Sequence, residues 1–111
     1  MGNLHILWTS DRPQTGHTMV LMYATNAKLQ QWFENVEVII WGASAELVAN
    51  DTSIQDRMEI AKHAGVVFRA CIACTNQYGV TNTLRSLGID VAPMGVVLTD
   101  ILKKDEKLLT I

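Results

Sequence analysis

The chain has 111 residues, 49% hydrophobic and 18% charged: enough apolar content for one folded domain, and too much for a disordered one. A net charge of −2 leaves no basic surplus to neutralise phosphates, so nucleic-acid binding is not expected. No apolar run approaches the roughly 18 residues of a membrane span, no leader pattern opens the sequence, and its two cysteines fit the reducing cytoplasm.

Strand-like and helix-like stretches alternate along the chain. Residues 4–9 read as a first strand, and 10–16 as a polar loop with Pro13 and Gly16. A long helix is predicted over 17–33 and a second strand over 36–41, closed by Gly42. Ser44 is placed as the N-cap of a short helix over 45–50. Thr52 or Ser53 starts the next helix, which ends at 63–64 with Gly65 after its cap. A third strand covers 66–70, and a short helix opens at Cys71 and breaks at Gly79. Thr81 caps a helix running through 87 and ended by Gly88. A strand over 89–92, a helix over 98–103 and a strand over 107–111 complete the series.

Strands joined by helical crossovers predict a three-layer α/β/α domain with a parallel five-stranded sheet, as a single domain over 1–111. The consecutive Val38, Ile39 and Ile40 suit a central strand that is buried on both faces. In such sheets function sits at the carboxyl ends of the strands. The places to look are the loops 10–16, 42–44 and 93–95 and the segment from Cys71.

Cys71-Ile72-Ala73-Cys74 is the strongest chemical signal. It follows a strand and opens a helix, where unpaired N–H groups favour a thiolate. In a helical turn both sulfurs share one face. Three readings of the pair stand side by side. The cysteines are two small buried hydrophobes. They bind zinc, for which two further ligands are needed and only His5, His17 and His63 are on offer. Or they perform sulfur or redox chemistry.

The residues around the pair carry a resemblance. A strand is followed by Met19-Val20-Leu21-Met22-Tyr23-Ala24, then Val38-Ile39-Ile40-Trp41-Gly42. Next come Gly65-Val66 up to Cys71, the spacing from Cys71 to Gly79-Val80, and Leu87-Gly88-Ile89. In these the chain resembles the DsrE/DsrF-like (TusD-like) sulfur-relay family over nearly its whole length. It looks most like small archaeal and bacterial members with an Ala-Cys-x-Ala-Cys segment, here Ala70 to Cys74. The resemblance implies a sulfur carrier or sulfurtransferase holding a persulfide on Cys71, with no metal or organic cofactor. It implies a homotrimer or hexamer, working with sulfur donor and acceptor proteins in the cytoplasm. Cys74 is then a resolving thiol that could close a disulfide. One departure is Gln77-Tyr78, where sulfur-relay members carry basic residues before the Gly-Val pair. Two other readings remain: a non-catalytic oligomer that binds a small ligand or partner, and a thiol-disulfide redox protein.

His17 opens the first crossover helix. It is a candidate for proton transfer at Cys71, beside the plainer reading of a solvated or capping histidine. His63 reads as structural, and His5 is given no role. Asp11 and Arg12 sit in the first loop and carry little weight. Trp8 and Trp41 either wall a pocket near Cys71 or cap the core. The run from Met19 to Ala24 is apolar on every side, which predicts a deep helix or one packed on another subunit.

Overall fold

In β1 (Asn3–Trp8), side chains alternate: Leu4, Ile6 and Trp8 are buried on one side, and His5 and Leu7 point to the other. The computed structural model describes residues 2–111. β1 lies between β2 (Asn35–Ile40) and β5 (Lys107–Thr110), with β3 (Val67–Cys71) and β4 (Asp90–Ala92) beyond β2. The five strands run in the order β4-β3-β2-β1-β5 and every pairing is parallel, as the sequence predicts.

The first crossover is one continuous helical run. It comprises α1 (Pro13–Thr15), a π-helical segment Gly16–Leu21 and α2 (Met22–Leu29). It thus begins earlier and ends sooner than the predicted 17–33. Proline starts it because the first helical position has no N–H bond to lose. The chain turns at Gln31, whose φ is 58°, and Trp32 N–H folds back on the Ala27 carbonyl at 3.0 Å. The aromatic pair after the helix therefore extends its apolar pattern without extending the helix. Gly16 is needed for close approach: a Cβ there would lie 2.9 Å from Ile54 Cδ1 and 3.0 Å from Trp8 Cζ2.

α3 (Ser44–Asn50) and α4 (Thr52–Ala64) connect β2 to β3. Ser44 is not the N-cap of α3. Its hydroxyl is buried and donates to the Trp8 and Trp41 carbonyls, joining the ends of β1 and β2. The hydroxyl serves a distant carbonyl acceptor instead of the local N–H donors of the helix start. α4 starts at Thr52 as expected, capped by Asp51, whose carboxylate accepts the Ile54 N–H at 3.0 Å. α5 (Ile72–Tyr78) and α6 (Thr81–Ser86) follow β3. Thr81 is the first residue of α6 rather than its cap, and its hydroxyl donates to Asn76 Oδ1 at 2.6 Å. α7 (Gly95–Lys103) starts three residues before the predicted 98 and leads into β5.

The two faces of the sheet are covered unequally. The main core lies on the face of Ile6, Trp8, Val38, Ile40 and Phe68, under Val20, Leu21, Ala24, Ile54 and Met58 of the first crossover and α4. The opposite face carries a smaller cluster, Ile39, Cys71, Met94 and Ile101, roofed by α7. Beside that roof the same face holds a line of charge. His5 sits between Glu37 and Glu106, each at 2.8 Å, and Arg69 bridges Glu37 and Asp90, each at 3.3 Å.

Candidate functional site

Cys71 is the last residue of β3 and the N-cap residue of α5, with φ −72° and ψ 117°. Cys74 stands at the third helical position, the spacing at which a cap side chain meets its partner. Cys74 packs against the cluster that contains Cys71, and both remain thiols. Their environments differ. Cys71 is 5% exposed and packed with Ile39, Met94 and Ile101, whereas Cys74 is only half-buried.

Burial pushes the Cys74 thiol up, and the adjoining Cys71 thiol adds to this. The backbone N–H of Gly42 works the other way, because it donates to the Cys74 sulfur and favours the anion. Gly42 lies two residues past β2 with φ +68°, a conformation that suits glycine, and a Cβ there would meet nothing within 4 Å. The space in front of Gly42 is therefore open. The site joins two sequence-predicted loops, those after β2 and β3, at the carboxyl edge of the sheet.

The other candidates are dispersed. His17 Nε2 lies 3.2 Å from Ser53 Oγ, a contact that ties the π segment to α4. Among the described residues, no hydrogen bond joins His17 to either cysteine. His5, given no role by the sequence, holds the charged line together. Burial disfavours its cation, but the carboxylates of Glu106 and Glu37 outweigh that, so its pKa is raised above 6.5. No group of three His, Cys, Asp or Glu side chains gathers to hold a metal ion among the described residues. Arg12 and Asp11 are exposed in the first loop. The two tryptophans divide: Trp8 is buried in the main core, and Trp41 packs against the cysteine cluster.

Sequence reasoning missed Gly42 as a sulfur ligand, and Met94 and Ile101 as the cover of Cys71. Gly42 and Met94 both lie in loops the sequence marks, 42–44 and 93–95, whereas Ile101 had no signal. Among the described residues, no helix is long and apolar enough to cross a membrane.

Comparison with known proteins agrees with this architecture. A conserved protein of unknown function from Bacteroides thetaiotaomicron is 42% identical, with 99% of this chain and 95% of that one covered and a TM-score of 0.96. The ychN protein of E. coli, 17% identical over 100% of both chains, has the same fold at a TM-score of 0.77. A protein of unknown function from Methanobacterium thermoautotrophicum, 18% identical over 100% of both chains, follows at 0.63. No curated protein matches the chain. The sequence model of the DsrE/DsrF-like family matches residues 5–111, which takes in every strand but the first two residues of β1 and all of the cysteine site. With that match and the parallel sheet that delivers Cys71 at its carboxyl edge, the chain belongs to the DsrE/DsrF-like family.

Proposed function

We propose that this protein is a sulfur carrier that holds a sulfane sulfur as a persulfide on Cys71. The observation that carries the reading is Cys71 buried at the carboxyl end of β3, with Cys74 one helical turn on and packed against the same cluster. Family membership supports it. The chemistry asks for a nucleophilic thiol and a place to keep the sulfur, and for no metal or organic cofactor. A buried Cys71 supplies the keeping. Sulfur arrives from a donor protein and leaves to an acceptor protein, in the reducing cytoplasm where both thiols stay reduced.

The test is retention. Reduced protein is incubated with cysteine persulfide, the donor is removed in the presence of a small thiol, and intact mass is measured. Wild type is expected to keep one added sulfur, and Cys71→Ser to keep roughly tenfold less. Wild type that gains no sulfur overturns the reading in favour of a ligand-binding or partner-binding protein. The two-residue spacing of the cysteines at the start of α5 also favours a second reading, thiol-disulfide exchange. Its mark is a loss of two hydrogens that needs both cysteines.

The chain is further proposed to assemble as a homotrimer or hexamer. Val20, Leu21, Ala24 and Ala27 of the first crossover are buried, yet its outer side presents Met19 at 37% and Met22 at 44% exposure, near Leu29 and Trp32. Such a stripe on one helix face suits a subunit contact. Light scattering at micromolar concentration is expected to return a multiple of 12.3 kDa, and a monomer mass would refute the assembly.

A further inference from the structure

We infer that Cys74 is the receiving thiol through which sulfane sulfur reaches the buried Cys71, so that the pair works as a two-step relay. The inference rests on the carrier reading above and assigns the order of events within it.

Access decides the order. Cys71 is 5% exposed beneath α7, with Met94 and Ile101 against it. A donor persulfide is at least the size of an amino acid and cannot approach that sulfur without displacing the roof. Cys74 is only half-buried, so a donor can approach its sulfur. Cys74 lies one helical turn from Cys71 and packs against the cluster that holds it, so the second transfer needs no large motion.

The steps balance as two thiol-persulfide exchanges. In the first, the Cys74 thiolate attacks the outer sulfur of the donor persulfide. The Cys74 Sγ–S bond forms, the donor S–S bond breaks, and the donor leaves as a thiol. In the second, Cys71 attacks the outer sulfur now on Cys74. The Cys71 Sγ–S bond forms, the bond to Cys74 breaks, and the proton given up by the Cys71 thiol passes to the Cys74 sulfur. No net oxidation or reduction occurs. The sulfur ends in an apolar cluster, away from water and competing thiols. Delivery reverses the same steps toward an acceptor thiol.

Loading rate tests the order separately from carrying itself. Wild type, Cys71→Ser and Cys74→Ser, each checked for native circular dichroism, are mixed with cysteine persulfide and quenched with an alkylating agent at short intervals. Cys74→Ser is expected to gain sulfur about tenfold more slowly than wild type or worse, because its thiol is covered. Cys71→Ser is expected to gain sulfur at the wild-type rate and to lose it when a small thiol is added. Peptide mapping of loaded wild type should find the sulfur on Cys71 and Cys74 alkylated. If Cys74→Ser loads as fast as wild type, the relay order is overturned while the carrier reading stands. If the pair instead closes to a disulfide and releases hydrosulfide, the relay is overturned in favour of resolution by Cys74. If wild type gains no sulfur at all, the carrier reading fails and the relay falls with it.

Discussion

Trp8→Ala is expected to lower the unfolding free energy by about 3–5 kcal/mol, a large part of the total for a domain of this size. Trp8 is 0% exposed at the end of β1, where the π segment and α4 press on it through Gly16 and Ile54. Those neighbours are fixed to the backbone of other elements, so the space left by the ring cannot collapse. Urea unfolding followed by circular dichroism would measure the loss. Trp8→Phe makes the argument sharper. The indole Nε1 of Trp8 is buried without a hydrogen-bond partner among the described residues. Phenylalanine removes that uncompensated donor along with part of the ring, so the two effects offset. The expected cost is within about 1.5 kcal/mol. A Phe variant as unstable as the Ala variant would show that volume alone decides at this position.

Glu37→Ala is expected to cost about 1–3 kcal/mol, because it strips the shared carboxylate from His5 and from Arg69 at once. The cost should depend on pH, and the sign follows from His5. Its pKa is raised in the folded state above 6.5 by the carboxylates, after they overcome burial. A raised value means that folding favours the protonated ring. That contribution is complete below 6.5 and is lost as pH rises through the raised value. Glu106 behaves oppositely: the hydrogen bond from His5, then that from Asn3, lowers its pKa from 4.5. Its share is present above 4.5 and is lost as pH falls through the lowered value. The charged line is therefore complete between these limits and weakens in alkali. Stability differences between wild type and Glu37→Ala, taken near about pH 6 and about pH 9, should be larger at the lower pH. Equal differences would mean that only Arg69 feels the loss.

The strands were legible because each obeys a short-range rule. Val38, Ile39 and Ile40 read as a strand buried on both faces, and all three are 0% exposed. Gly65 was likewise legible as a helix stop, with φ 107° after α4. The errors fell where a distant group outbid a local one. Ser44 looks like a cap in sequence, but its hydroxyl has the Trp8 carbonyl in reach, and Thr81 has Asn76. The π segment had no local signal, since it depends on how closely Gly16 can approach Trp8. The placement of the cysteine pair after a strand was legible from the apolar run before it. The unequal cover was not. Which sulfur lies inside depends on α7 and Met94, which come from the far side of β4. The charged line was invisible for the same reason, with members spread over four strands and the residue just before β5.

The order of the strands also sets a timetable. β5 does not join its predecessor β4 but crosses the sheet to pair with β1, and the His5–Glu106 contact spans 101 positions of sequence. α7, the roof of Cys71, is tethered between those two edges. On the ribosome the four strands through β4 emerge with their helices before α7 and β5 do, and the larger core can assemble from them alone. The thiol destined for the interior therefore spends the whole of that interval uncovered. Cys71 is sealed only once α7 has been made and docked, whereas Cys74 stays partly open in the folded molecule.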